Sequence, residues 1–477
     1  MSGSKSSLKK IASKYIDNWR IKNPIQSRLN GGILNPLQLE DLTVGGFENQ
    51  ILLLNDFEKE IKPIQSFDKE DEFFKKEILR AIKLKKYSLK NDNPYTKSLK
   101  SYLKYITLVM YFHEENLNSY IVENIYKALV TASELKINVT LEDQRFAQDL
   151  IVYLMKIHVE DWRIKKQLNM CIKLLSSLSL NKEKSLYTPK MENINYLLIE
   201  CYGTGNNLES WRNDIQEFLF EEIAQLNKIK YPEMTNDIVG IKEKDELIIY
   251  IYNYIKNLYK RSRFEQDNSF DFDIELLPNI LSYITREGFY LHNKLEKKLL
   301  ISSEMTKLYN VNKREFESFI YAFLSHEIYP GHQHHINSIK YKFIIEHLDF
   351  LTNPIGLEGW AVYSEQILNQ LGFGYELKLN NLKKIIPVSI FFEMLLNGEK
   401  STEKLIEKIF SSNKQLYNEF KKNRGFGSVN LVYVIGYIEY IKILKSNKLY
   451  DLNEVLSFGP LTPSYFKPLL DLQKMTK

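Results

Sequence analysis

The stretch from 312 to 332 reads NKREFESFIYAFLSHEIYPGH. Its apolar residues lie three and four positions apart, which is typical of the buried face of an α-helix. Asn312 followed by Glu315 resembles a capping box, with Asn in place of Ser or Thr, and indicates that the helix begins there. The predicted helix runs directly into His326 and Glu327, so two chemically versatile side chains stand at its end.

The same helical periodicity runs through most of the chain and predicts a mainly α, multi-helix fold. A further helix is expected from about Gly356 past Gln366. Strand signals are few, and Gly288–Leu291 with Leu299–Ser302 predict a small β hairpin at most. The other stretches with clear helical periodicity are Tyr102–Leu135, Asp143–Leu180, Ile194–Ile229, Glu246–Arg261 and Val429–Leu444.

Two stretches resemble connectors between domains. Tyr231–Glu243 contains proline and glycine, and Glu265–Pro278 is acidic and poor in regular pattern. A boundary in this part of the chain would separate an N-terminal helical region, residues 1–240, from a C-terminal region that carries the candidate site, residues 241–477. We expect both regions to pack as one unit around a cleft.

Composition and charge exclude several classes of protein. The 65 basic and 60 acidic residues leave a formal charge of +5, which gives no electrostatic case for a nucleic-acid partner. The longest apolar stretch, Ile385–Leu396, is too short to span a bilayer. Two cysteines, Cys171 and Cys201, fit a reducing compartment, and the first residues lack the apolar core of a secretory signal. We therefore expect a soluble cytoplasmic protein without a membrane partner.

Histidines are concentrated in one part of the chain. There are eight, and five of them fall within residues 326–347, whereas histidines that only fill a core would be scattered. A zinc hydrolase needs three protein ligands, an open position for water, and a carboxylate that contacts the water without occupying the metal. His326 with Glu327 beside it therefore indicates a first ligand and a catalytic base.

The spacing of the next histidine requires a deformed helix. The position four residues after His326 is Pro330, which cannot bind metal, and the next histidine is His332. Six residues of an ideal helix turn about 600°, which leaves the two rings roughly 120° apart. Pro330 and Gly331 are the residue types that distort a helix, so they predict a bulge that brings the two histidines together.

A third ligand is offered by the sequence GLEGWA, residues 356–361. Glu358 lies 26 residues after His332, which leaves room for a turn and a returning helix. Glu365 follows seven residues later, roughly 20° from the same helix face, and could hold a ligand histidine by its free ring nitrogen. The alternative is that both glutamates are solvent-facing helix charges.

HEIYPGH followed by LEGWAVYSEQ resembles a bacterial family called domain-of-unknown-function family 885, whose pattern is HExxPGHxxQ and then EGWAxYxE. That family looks related to gluzincin metallopeptidases, including carboxypeptidase Taq and aminopeptidase N. The resemblance implies a zincin-like, mostly helical metallopeptidase fold around a deep cleft. It also implies one zinc ion per chain, held by His326, His332 and Glu358, with Glu327 as the base.

The chain departs from the family pattern around this core. The closing glutamine of the first motif is His335, and its second tandem histidine is Gln333. SVNLVYVIG, residues 428–436, resembles a worn version of the later family motif PGQALSYxxG. These departures concern the surroundings of the metal-binding core, so they bear on the substrate more than on the metal.

Three further residues are candidates for supporting roles. His335 follows His332 by three positions and could support a ligand, contact the substrate or act as an alternative ligand. The resemblance also places Tyr433 and Arg424 as donors to the oxyanion that an acyl-transfer reaction develops. For Tyr433 the alternative is a place in the core, since it forms a stripe at helical spacing with Tyr437 and Tyr440.

The leading hypothesis is a zinc-dependent hydrolase that cleaves a peptide or another amide bond in a peptide-like small-molecule substrate. A second hypothesis keeps the metal but assigns it to a biosynthetic step on a small amide-bearing metabolite. A third is a non-catalytic binding module descended from a peptidase. The sequence leaves open the substrate, the exo- or endopeptidase mode and the oligomeric state.

Overall fold

The computed structural model describes most of the chain. Of the predicted connectors, Tyr231–Glu243 apart from Pro232 and much of Glu265–Pro278 lie outside the described residues. The described residues are 5–30, 32, 39–66, 68–113, 117–135, 137, 139–177, 190–230, 232, 244–261, 272–277, 279–283, 285, 288–292, 297–302, 312–411, 413–422, 430–446, 452–466 and 470.

The chain divides into two compact units, and neither is continuous in sequence. The division does not follow the predicted boundary at residue 240, because apolar side chains of the small sheet pack into the first core and helices from residue 191 onward pack into the second. The first unit comprises Met1–Thr188, Asp271–Met305 and His347–Phe350, and the second comprises Pro189–Phe270, Thr306–Glu346 and Leu351–Lys477.

The first unit consists mainly of helices packed around a large apolar core. The predicted stretches Tyr102–Leu135 and Asp143–Leu180 each contain two helices, because both are interrupted by short non-helical segments. The helices are α1 (Lys5–Lys22), α2 (Pro24–Leu29), α3 (Val44–Ile61), α4 (Lys69–Lys90), α5 (Pro94–Lys97), α6 (Leu99–His113), α7 (Ser119–Glu134), α8 (Leu141–Lys156) and α9 (Trp162–Ser177).

A three-stranded sheet belongs to the first unit. Strand β3 (Lys297–Ser302) lies in the centre, antiparallel to β2 (Gly288–His292) and parallel to β1 (Asp273–Leu277). The predicted hairpin is therefore confirmed. Strand β1 lies in a stretch that was predicted to be a connector, because two acidic residues in DIELL mask a short strand signal.

A short segment from late in the chain also belongs to the first unit. The Asp349 carboxylate accepts hydrogen bonds from Arg20 Nε at 2.8 Å and from Arg20 Nη2 at 2.7 Å, and the Ser27 hydroxyl donates to it as well. The His347 Nε2 atom lies 2.7 Å from the Ser13 hydroxyl oxygen. Charge-assisted bonds of this kind fix the segment against α1 and α2.

The regular secondary structure that the structure describes in the second unit is helical, with turns between the helices. Helix α18 breaks at Gly398, where φ is +73°. A π-helical turn covers Leu197–Cys201, and 3₁₀ turns cover Glu365–Asn369 and Pro463–Tyr465 here and Asn279–Tyr283 in the first unit. The remaining α-helices of the chain, of which α16 lies mostly in the first unit, are α10 (Met191–Tyr196), α11 (Leu208–Leu226), α12 (Lys244–Arg261), α13 (Lys313–Glu327), α14 (His332–Asn337), α15 (Lys342–Glu346), α16 (Leu348–Leu351), α17 (Pro354–Ser364), α18 (Gly374–Ser411), α19 (Lys414–Lys422), α20 (Leu431–Ser446) and α21 (Leu452–Leu456).

The predicted mainly α fold is confirmed. Helix α13 begins as predicted, because the Asn312 side chain accepts hydrogen bonds from the backbone N–H groups of Arg314 and Glu315. Among the described helices, none is both long and apolar enough to cross a membrane.

Helices α17 and α20 meet at a pair of glycines. A Cβ atom on Gly359 would lie 2.3 Å from the Gly436 carbonyl carbon, and one on Gly436 would lie 2.2 Å from the Ile355 carbonyl oxygen. Both distances are far below van der Waals contact, so only glycine allows the two backbones to come this close. Tyr433 stands one turn before Gly436 and is thereby carried toward Glu358 on α17.

We expect Gly436→Ala to destabilise the protein by about 1–3 kcal/mol, since the added methyl group forces the two helices apart. The measurement is the midpoint of thermal unfolding followed by circular dichroism. Gly45→Ala is the control, because its Cβ would meet only the Thr43 hydroxyl oxygen at 3.9 Å and its midpoint should stay unchanged or rise slightly. An unchanged midpoint in Gly436→Ala would contradict the tight contact.

Candidate metal centre

The two motif histidines lie on two different helices. Helix α13 ends at Glu327, the chain turns, and α14 begins at His332. A Cβ atom on Gly331 would lie 1.8 Å from the His326 carbonyl oxygen, so the turn can close only around a glycine. The predicted distortion at Pro330 and Gly331 is thus a complete break between two helices, which turns both rings to the same side.

The turn is fixed by the helix that follows it. The Trp360 side chain on α17 is fully buried, and its Nε1–H donates a hydrogen bond of 2.7 Å to the Pro330 carbonyl oxygen. The Ser364 hydroxyl, one turn later, donates to the Ser325 carbonyl oxygen near the end of α13. The second bond satisfies a carbonyl group in the last turn of α13, and the first holds the turn that follows that helix.

Helix α17 brings Glu358 to the two histidines. Its Oε2 atom lies 3.3 Å from His326 Nε2 and 3.7 Å from His332 Nε2. The two imidazole rings stand nearly perpendicular, with centroids 4.8 Å apart. One donor atom from each of these residues lies within 4.8 Å of the other two. The structure therefore brings together the three residues that the sequence analysis named as ligands.

The spacing of the donor atoms fits a single metal ion. Zinc held tetrahedrally at about 2.1 Å from each donor separates the donors by roughly 3.4 Å, close to the two distances above. Glu358 Oε2 is one of the buried side-chain atoms of the described residues that have no hydrogen-bond partner. The three side chains remain between 12% and 22% exposed, so water can reach them.

A buried carboxylate and a lysine support the first histidine. The Glu365 carboxylate lies 3.0 Å from His326 Nδ1, which leaves Nε2 to face the donor cluster. Lys384 Nζ on α18 donates to both Glu365 oxygens, at 2.7 and 2.6 Å. The sequence analysis named Glu365 for this position but missed Lys384. Its sequence surroundings, LKKII, resemble an ordinary solvated pair of lysines and give no signal.

Electrostatics at the centre favour ionised carboxylates. Burial would raise the pKa of Glu358, but the neighbouring His326 and His332 hold that pKa well below its usual value. Burial would likewise raise the pKa of Glu365, which Lys384 and then His326 lower. For His326, burial would lower the pKa, yet the neighbouring Glu358 and Glu365 carboxylates raise it to about 10. Shifts of this kind, caused by burial and specific charged neighbours, are concentrated at functional sites.

The predicted base and one predicted oxyanion donor lie beside the cluster. The Tyr433 ring centroid is 5.9 Å from that of His326. Burial, followed by the Glu358 and Glu327 carboxylates, raises the pKa of Tyr433 above its usual value, so the hydroxyl keeps its proton at neutral pH. Tyr437 is 3% exposed and lies in the core, whereas Tyr433 is partly exposed, so only part of the tyrosine stripe is buried in the core.

The other two predicted residues do not join the cluster. His335 is fully buried, and its ring packs 5.7 Å from Trp360 and 6.4 Å from Tyr440 between centroids. Burial, with smaller contributions from His332 and a neighbouring histidine, lowers the pKa of His335 to about 3, so its ring is neutral. Arg424 lies outside the described residues.

No family model matches this chain, and no curated protein matches it. Among solved structures, one called "a putative lipoprotein of unknown function" from Shewanella oneidensis is 16% identical, with a TM-score of 0.62 over 97% of this chain and 99% of its own. Another, called "the putative lipoprotein from Colwellia psychrerythraea", is 13% identical, with a TM-score of 0.64 over 100% of both chains.

At these identities the likeness shows a shared fold alone. What the two names say of attachment to lipid belongs to those two proteins. The resemblance to domain-of-unknown-function family 885 and the cytoplasmic location stay predictions for this chain.

Proposed function

We propose that this protein is a zinc-dependent hydrolase that cleaves a peptide or another amide bond. The observation that supports the proposal is the convergence of His326, His332 and Glu358, whose donor atoms all lie within 4.8 Å of one another. Two imidazoles and one carboxylate form a donor set that zinc hydrolases use, with a fourth position left for water.

In this proposal, the three residues hold one zinc ion per chain. When bound there, zinc would lower the pKa of a water molecule and polarise the carbonyl group of the substrate. Glu365 and Lys384 keep the His326 ring in the orientation that points Nε2 at the metal, and the carboxylate makes that nitrogen a stronger donor.

Glu327 serves as the general base. It is the last residue of α13 and follows His326 directly, so it would stand beside a water bound at this site without serving as a ligand. Its carboxylate accepts a proton from the attacking water and returns that proton to the leaving amine. The negative charge of Glu327 contributes to the raised pKa values of His326 and Tyr433.

Tyr433 serves as the donor to the developing oxyanion. Its hydroxyl remains protonated at neutral pH, because burial and the neighbouring carboxylates raise its pKa. A hydroxyl that is already positioned stabilises negative charge on the attacked carbonyl oxygen without reorganising during the reaction. The substrate class that suits these groups is a peptide or a peptide-like amide.

We expect Glu327→Gln to slow hydrolysis by about 100- to 10,000-fold while the protein still binds zinc, because the amide cannot accept the proton of the water. The measurement combines peptide turnover, followed by mass spectrometry on a mixed peptide library, with metal analysis of the same sample. Glu315→Gln, an exposed change on the same helix, is the control and should leave both quantities unchanged. Full turnover in Glu327→Gln would rule out this base.

We expect Lys384→Met to weaken zinc binding by about 10- to 100-fold, because Glu365 loses the ammonium that holds it against His326. The dissociation constant would be measured by competition with a chromogenic chelator. Lys400→Met, an exposed change beyond the break in α18 at Gly398, should bind zinc like the wild type. If both variants bind zinc equally well, Lys384 has no part in positioning the ligand.

A further inference from the structure

A cavity lies in the second unit, away from the candidate metal centre. It has a volume of about 560 Å³, and residues of α11 and α20 line it. Its apolar wall includes Phe218, Ile438, Ile441, Pro463 and Leu470, and none of the residues of the metal centre lines it. A cavity of this size, largely apolar with a few polar groups, is typical of small-molecule sites.

One buried carboxyl group lines this cavity. Glu439 on α20 is 7% exposed, and among the described residues it has no hydrogen bond or ion pair. Burying an ionised carboxylate without a partner costs roughly several kcal/mol. Such groups are therefore normally paired. The Glu439 carboxyl group can therefore either keep its proton or ionise against a cation that enters the cavity.

The ammonium group closest in sequence is already engaged. Lys442 Nζ forms an ion pair of 2.7 Å with Asp214 Oδ2 and lies 4.9 Å from the centre of the Trp211 ring. A lysine held by both a carboxylate and an aromatic ring is not free to neutralise a second carboxylate. Glu439 thus stays unpaired even though a lysine stands three residues away.

The charge of the cavity as a whole favours a cation. The acidic residues that line it outnumber the two lysines, Lys442 and Lys445, by four to two. Burial raises the pKa of Glu439 to about 7, an effect that Lys442 opposes and Asp214 reinforces. The acidic lining residues are Asp214, Glu217, Glu221 and Glu439.

We propose that this cavity binds a small organic cation, a primary amine or guanidinium carried on an apolar body, with the Glu439 carboxylate as its ion-pair partner. The apolar part lies against Phe218, Ile438 and Leu470, while the charged end reaches Glu439. A charge-assisted hydrogen bond to a largely buried carboxylate such as that of Glu439 is stronger than one at the surface. The proposal is independent of zinc and of the hydrolase activity.

Isothermal titration calorimetry of the full chain with n-hexylamine, hexan-1-ol and hexanoate tests this site. We expect hexylamine to bind at least about 10-fold more tightly than hexanol, and hexanoate not to bind, because only the amine can pair with Glu439. Amines also ligate metals, so the titration is repeated with His326→Ala. Equal hexylamine binding in that variant would place the ligand away from the metal centre.

The decisive variant is Glu439→Gln, which keeps the size of the side chain and removes its charge. We expect its affinity for hexylamine to fall at least about 10-fold, to the level of hexanol, while exposed Glu217→Gln changes it less than about 3-fold. Circular dichroism checks that each variant is folded. Equal affinity of wild-type protein for hexylamine and hexanol, or unchanged hexylamine binding in folded Glu439→Gln, would overturn the proposal.

Discussion

The Pro330 carbonyl oxygen accepts a hydrogen bond from the buried Trp360 indole, and that bond joins the two segments that carry the candidate ligands. One segment is the turn between His326 and His332; the other is α17, which presents Glu358 two residues before the tryptophan. The bond from Ser364 to the Ser325 carbonyl oxygen reinforces this link and holds the end of α13 against α17. The glycine contact between α17 and α20 likewise holds the helix that carries Tyr433 close to the helix that carries Glu358. The ligands are therefore positioned by contacts that other residues make, namely the hydrogen bond from Trp360 to the Pro330 carbonyl group and the glycine contact between α17 and α20.

Local signals in the sequence predicted the helix and the bend that carry the candidate ligands, but they did not predict all the residues that support those ligands. The helix that begins at Asn312 and the bend before His332 follow from capping, proline and glycine, whose effects are local. Lys384 could not be found in this way, because its role depends on α18 packing beside Glu365. Strand β1 was missed for a related reason, since it is defined by pairing with β3 rather than by its own composition.

The division of the chain into units was also beyond sequence reasoning. Residues 271–305 return to the first unit because their apolar side chains complete its core, and His347–Phe350 returns through the bonds of Asp349 with Arg20 and Ser27. Contacts between residues that are far apart in the sequence produce no periodic pattern of apolar residues. The metal centre, by contrast, draws its donors from the second unit alone, from a stretch of about thirty residues.

Elemental analysis tests the central claim most directly. The wild-type protein and His326→Ala would be incubated with zinc, freed of loosely bound metal by gel filtration, and measured side by side. We expect about one zinc ion per wild-type chain and almost none in the variant, because two remaining donors hold the metal too weakly. Wild-type protein that retains no more zinc than the variant would contradict a metal centre at His326, His332 and Glu358.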